Sequence, residues 1–216
     1  GTHLPDITAI TPVFVAGEEP SFFVASRGHH SDVGGSTPGS MPSFSCHIKD
    51  EGLLLRNLLF IRDGSIQHTD WEAACDAMAI PPRNPKELLA DLQAQVAANQ
   101  AGVEGLQQLV AREGLSQVMR QMDLLQEHAA GCVRKLLRRL SDSRHQLELD
   151  DGSLLQVHIQ VQRDQQRLLL DFSGSSDQRS GNLNAPLAVT RASVLYVIRC
   201  LLDADIPLNE GCFQPL

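Results

Sequence analysis

Between Asn84 and Leu140 apolar residues recur at helical spacing in two long runs, and on either side of them the spacing falls to two. That combination points to an α+β fold in which long helices pack with antiparallel strands. Asn84 is a good N-cap, Pro85 suits the first helical position and Glu87 completes a capping box. From there Leu88, Leu92, Val96, Val103, Leu106 and Val110 recur to about Arg112, where Gly114 breaks the run. The second run carries Leu115, Val118, Met119, Met122, Leu125, Ala129, Cys132, Val133, Leu136, Leu137 and Leu140. Two helices of about 26 residues, roughly 40 Å each, are expected to pack as a long antiparallel αα-hairpin with the Met and Leu stripe in the core.

The flanks read as strands. Ile7 to Val15 is rich in β-branched and aromatic residues, Gly17-Glu18-Glu19-Pro20 turns the chain, and Ser21 to Ala25 returns it as a β-hairpin. A strand is also expected at Leu53 to Ile61, and a short helix at Trp71 to Ala79, capped by Thr69 or Asp70 and closed by Pro81-Pro82. After the helical runs, Gln146 to Leu149, Leu154 to Gln162 and Arg167 to Phe172 read as a meander, followed by a C-terminal helix from Leu187 to about Asp203. The chain thus divides into a β-rich part (1–80), a helical hairpin (84–140) and a meander plus helix (144–216).

The stretch from Ser26 to Gly35, Ser-Arg-Gly-His-His-Ser-Asp-Val-Gly-Gly, carries the chemistry. His29, His30 and Asp32 offer imidazole and carboxylate donors, the ligand types of Zn, Mn and Fe sites. The same residues also suit a polar turn between two strands. A hairpin returns the chain to its origin, so His3 and Asp6 are expected beside them. On the first long helix Asp91, Gln95 and Asn99 are spaced by four and share a face, which either meets solvent or lines a substrate cleft. Gly34 to Ser45 is too rich in Gly, Pro and Ser for a regular element and reads as a loop around this site. The loop Gly181 to Pro186, with Asn182 and Asn184, precedes the last helix, where it offers either an anion seat or a plain N-cap by Asn184.

A chain of 216 residues with 42% hydrophobic and 20% charged residues belongs with ordinary globular proteins. A net charge of -8 argues against nucleic acid and against an anionic membrane surface as partners. Five widely spaced cysteines without a Cys-x-x-Cys pair suit reduced thiols in the cytoplasm, with Cys132 and Cys200 expected as small buried hydrophobes. No P-loop, dinucleotide fingerprint or Gly-x-Ser-x-Gly elbow occurs. The ends, without Met at the start, suggest a piece of a longer protein.

Taken in order, the motifs Gly1-Thr2-His3-Leu4-Pro5-Asp6, Ser26 to Gly35, Thr37-Pro38-Gly39-Ser40-Met41-Pro42, Asp91 to Asn99, Asp171-Phe172-Ser173-Gly174, Gly181 to Pro186 and Ile206 to Cys212 resemble the hydantoinase B family. The likeness is greatest to the hydantoinase-B-like half of ATP-dependent 5-oxoprolinases. It implies an enzyme that opens a small cyclic amide, 5-oxo-L-proline to L-glutamate, at the expense of ATP. It also implies a hydantoinase-A-like subunit or domain that binds ATP, and a homo-oligomer of the full enzyme. In carboxylase relatives a divalent metal is held by the His and Asp of the Gly-Thr-His-x-x-Asp motif and a His of Gly-His-His, which correspond here to His3, Asp6 and His29 or His30. Asp32, Arg27 and Asp91 are then candidates for catalytic roles, and Gln95, Asn99, Asn182 and Asn184 for substrate binding. An N-methylhydantoinase B or a component of an acetone or acetophenone carboxylase, and a non-catalytic scaffold segment, are the alternatives.

Overall fold

The computed structural model describes residues 3–202 and 205–216, in two compact units, Gly1–Gly114 with Arg179–Pro186 and Leu115–Gln178 with Leu187–Leu216. The class is α+β, with antiparallel hairpins, a meander, two long helices and a C-terminal helix.

The first unit begins with strands β1 (Asp6–Val13) and β2 (Phe22–His29), paired antiparallel from Asp6↔His29 to Val13↔Phe22. Thr8, Ile10 and Pro12 of β1 and Phe23, Ala25, Arg27 and His29 of β2 form the exposed face. The other face lies on helix α2 (Pro85–Glu113). That helix starts as its sequence demands: the Asn84 side chain accepts from Glu87 N at 3.3 Å and donates to the Glu87 carboxylate at 2.7 Å, with Pro85 in the first turn. Gly102 lets α2 approach β2 closely, since a Cβ there would stand 2.8 Å from Val24 Cγ1.

Below the hairpin a core of Val33, Leu53, Trp71, Cys75, Leu88 and Leu92 is closed by Leu4, Ile7, Leu55, Leu58 and Phe60. Two sequence expectations change here. The segment 53–60 is not a strand: Asn57 takes a left-handed φ of 52° and the leucines on both sides of it turn into the core. Only β3 (Ile61–Arg62) and β4 (Ser65–Ile66) pair, around Asp63 and Gly64. Helix α1 runs His68–Asp76, starting before the expected Trp71, so Thr69 and Asp70 lie in its first turn and the N-cap Gln67 makes no side-chain capping bond. The buried pair Trp71 and Cys75, one turn apart, sets its inward face.

In the second unit helix α3 (Leu115–Leu137) packs with a sheet of β5 (Ser143–Glu148), β6 (Leu154–Gln162) and β7 (Arg167–Asp171), in the order β5-β6-β7. Ala129, Val133, Leu136, Leu137, Leu168, Ile198, Ile206 and Cys212 form its core, with Ile159, Val161 and Leu170 against it. Ile198 comes from helix α4 (Leu187–Leu201) and Cys212 from a 3-10 turn at Glu210–Phe213. The Asp203 end expected for α4 lies outside the described residues. The long helices therefore each bury a face in their own unit, α2 on β1 and β2, α3 on this sheet and turn. Part of the expected Met and Leu stripe is exposed, Met119 and Leu125 among it, and so is Cys200, contrary to the buried place its spacing suggests; Cys75 and Cys212 are the buried thiols. No helix among the described residues is long and apolar enough to cross a membrane.

The hairpin and α2 are joined by polar groups as well as packing. Asn99, 1% exposed, donates through Nδ2 to Ala9 O and Thr11 Oγ1, both at 3.1 Å. Asn99→Asp replaces that donor with a buried carboxylate facing the Ala9 carbonyl. It is expected to lower the unfolding free energy in urea titration by about 3 kcal/mol or more, against about 1–3 kcal/mol for Asn99→Ala. Wild-type stability in the Asp variant would contradict this packing.

Candidate functional site

Asp6 opens β1 and His29 closes β2, so the register makes them direct cross-strand partners on the exposed face. A turn before β1, in which Asp6 N donates to His3 O at 3.1 Å, folds His3 back over them. His29 Nδ1 lies 2.8 Å from Asp6 Oδ1, His3 Nδ1 lies 3.9 Å from Asp6 Oδ2, and the two imidazole rings meet edge-on at 6.0 Å between centroids. One donor atom from each of the three lies within 4.8 Å of the others, the single such group of His, Cys, Asp or Glu among the described residues. Two imidazoles and a carboxylate suit a divalent cation. The cluster is open: the His3 and His29 side chains are 44% and 52% exposed, with Asp6 at 18% between them.

His30 is next in sequence and on the other side of the strand. It is 4% exposed, and its Nε2 meets Gln95 Oε1 at 3.0 Å. The Gln95 amide nitrogen donates to Ile7 O at 3.1 Å and Ser26 O at 3.2 Å, so its oxygen is the acceptor and His30 carries the hydrogen on Nε2. The other ring nitrogen lies 3.6 Å from the half-exposed Asp91 carboxylate. Asp91, Gln95 and Asn99 thus share a face, as their spacing predicts, and that face meets the hairpin: Gln95 and Asn99 bond the backbone of β1 and β2, and Asp91 sits at the margin beside His30.

Three of the remaining residues singled out in the sequence, Asp32, Asn182 and Asn184, hold loops. Asp32 accepts from the backbone N–H groups of Gly34, Gly39 and Arg83 at 3.0–3.1 Å and from the Arg83 guanidinium at 2.7 Å, tying the Gly-rich loop to the entrance of α2. Gly34 is required there, because its φ is 88° and a Cβ would stand 2.5 Å from Ile80 O. Asn182 donates to Pro42 O at 2.6 Å and Ser45 Oγ at 3.2 Å, and Asn184 bonds Arg179 and Gly181 within its own loop. Arg27 donates through Nε to Thr8 Oγ1 at 2.9 Å on the exposed face. Sequence reasoning missed Arg83 and Thr8. The signal for Thr8 was its place two residues after Asp6 on a strand; nothing local marks Arg83, whose partner lies 51 residues away.

A strand hairpin presenting two histidines and an aspartate, backed by a helix through a buried glutamine and asparagine, is therefore the site this fold builds. The family model "Hydantoinase B/oxoprolinase" matches residues 1–216, and the chain belongs to that family. It is similar to the 5-oxoprolinase of Dictyostelium discoideum, 39% identical over 225 residues, covering 100% of this chain and 17% of that protein. It is also similar to the B-type component of a putative D-/L-hydantoinase from a Pseudomonas species (strain NS671), 28% identical over 238 residues, covering 100% of this chain and 38% of that protein. Among solved structures, the ATP-dependent caprolactamase from Pseudomonas jessenii superposes with a TM-score of 0.79 at 25% identity, over 100% of this chain and 37% of that one. The chain thus spans under a fifth of the length of the 5-oxoprolinases it matches.

Burial works to raise the Asp32 pKa, but the N–H groups of Arg83, Gly34 and Gly39 and the Arg83 guanidinium outweigh it and hold the carboxyl below its ordinary value. A carboxylate held low stabilises the fold above its unfolded pKa and loses that contribution as pH falls through the folded one. Asp32→Asn is accordingly expected to lower stability in urea titrations at pH 7, with the deficit shrinking below about pH 4. An equal deficit at pH 3 and pH 7 would contradict the role given to the charge.

Proposed function

We propose that this chain is part of an ATP-dependent cyclic-amide hydrolase that opens 5-oxo-L-proline to L-glutamate, in which His3, Asp6 and His29 hold a divalent metal beside the reacting ring. The observation that carries the reading is the open His3–Asp6–His29 cluster at the end of the hairpin. The names of the relatives, 5-oxoprolinase and ATP-dependent caprolactamase, supply the reaction class. Mn, Zn or Fe would suit the donor set.

A cation bound there supplies Lewis acidity toward a carbonyl or phosphoryl oxygen. The chain's own residues define where the reaction takes place. Asp6 accepts a hydrogen bond from His29 and faces His3 with its second oxygen, so the two rings are oriented before any ligand arrives. His30, fixed by Gln95, anchors the end of β2 and keeps His29 on the outer face. In the proposed sequence a hydantoinase-A-like part binds ATP and transfers its γ-phosphoryl to the lactam oxygen. One water then attacks the activated ring carbon and the C–N bond breaks with a proton passing to nitrogen, leaving an acyl phosphate that a second water hydrolyses, so that glutamate, ADP and phosphate are released. Asp32, Asn182 and Asn184 hold the loops that follow β2 and precede α4. The free thiols fit a reducing cytoplasm. The hydantoinase relative supports a hydantoin as the second ring to test.

The test is glutamate formation and ATP hydrolysis by the full-length protein with its ATP-binding part, with 5-oxo-L-proline, a hydantoin and caprolactam as substrates. Stimulation by 5-oxo-L-proline, and a fall in kcat of more than about a hundredfold in His29→Ala, are expected. Undiminished turnover in His29→Ala, or stimulation by none of the rings, would contradict the reading.

A further inference from the structure

We propose that Arg27 is the docking point for an anionic oxygen group, carboxylate or phosphoryl, of the molecule held at the His3–Asp6–His29 cluster; the proposal rests on that cluster being the reaction site. The ladder places it. Asp6 pairs with His29, and on the next rung of the same exposed face Thr8 pairs with Arg27. Same-face residues along a strand are about 6.6 Å apart, within the reach of an arginine side chain from the neighbouring rung.

The arginine is held and yet not neutralised. Thr8 Oγ1 accepts its Nε–H at 2.9 Å, which orients the planar fork and leaves both Nη groups without a protein acceptor among the described residues. Other arginines in the same chain are used differently: Arg83, Arg134 and Arg191 pair with Asp32, Glu127 and Glu210. Arg27 is instead oriented by a hydroxyl on the exposed face of the hairpin. The nearest acid on its face, Asp6, is engaged by His29. The rungs beyond, Ile10 with Ala25 and Pro12 with Phe23, are apolar and hold no second cation. The exposed face therefore runs from a metal-binding donor set, through one guanidinium, to an apolar surface, and its only fixed anion receptor among the described residues is Arg27. A planar fork binds carboxylate or phosphoryl oxygens through two parallel N–H bonds, which lysine cannot reproduce.

The test uses the full-length protein with its ATP-binding part and compares wild type, Arg27→Gln, Arg27→Lys and Thr8→Val. In Arg27→Gln, kcat/KM for 5-oxo-L-proline is expected to fall roughly 10–100-fold, the worth of a charge-assisted hydrogen bond, with metal content unchanged. Arg27→Lys should recover part of the loss and Thr8→Val should show a smaller one. A rise in KM with kcat kept assigns the anion to the substrate carboxylate, and a loss in kcat with KM kept assigns it to the phosphoryl group formed during turnover. Unchanged kinetics in Arg27→Gln, or loss of metal along with activity, overturns the proposal. If the wild type turns over no lactam, the function proposed above fails and the anion site is judged separately. Phenylglyoxal modification of Arg27, mapped by peptide mass spectrometry, should then slow at least about fivefold with inorganic phosphate or 5-oxo-L-proline present, as a bidentate anion shields the fork. A rate unchanged by both anions overturns it.

Discussion

The register of the β1–β2 ladder decides which side chains meet. Side chains alternate across a strand, so a slip of one residue would send His29 to the inner face and His30 out to solvent. An isolated two-stranded hairpin is marginal in water, and here its register is held by α2. Gln95 donates to the backbone of both strands, at Ile7 and Ser26, and accepts from His30; one helical turn on, Asn99 holds Ala9 and Thr11. Shifted by one residue, the ladder would leave these amides facing the wrong backbone groups and His30 without its acceptor. The buried polar groups thus act as a register pin, and the outer cluster is the other side of the same arrangement.

This gives the paired histidines different tasks on physical grounds. His30 is buried and bonded, and its contribution to the site is made through the strand it anchors. His29 is exposed, and its neighbours His3 and Asp6 are donors. The Gly-rich loop that follows is fastened by a third polar device, the Asp32 carboxylate, which gathers three backbone N–H groups and the Arg83 guanidinium. The site is therefore a small open face carried by polar bonds that lie beneath it or beside it.

Periodicity made the larger elements legible. The capping box at Asn84, the break at Gly114 and the strand from Leu154 to Gln162 each rest on local chemistry, and each appears where the sequence places it. The hairpin pattern also implies that His3 and Asp6 return to the Gly-His-His stretch, as they do. What was not legible depended on partners far away in sequence. Leu53 to Ile61 reads as a strand because its leucines are dense, but Leu53, Leu55 and Leu58 join a core around Trp71 and the segment 53–60 does not pair. Asp91, Gln95 and Asn99 show their common face in the spacing, yet whether it meets water, a ligand or a strand is decided by the register 65 to 90 residues away. That His29 and not His30 lies beside His3 and Asp6 follows from the end of β2, which runs to His29 and not to Ala25 as expected.

The central claim is that the cluster at the end of the hairpin is a metal site, and bound metal tests it most directly. Elemental analysis of purified wild-type protein beside Asp6→Ala and His29→Ala is predicted to find about one divalent transition metal per chain in the wild type and near none in either variant. Metal retained in both variants, or none in any of the three proteins, would contradict the account.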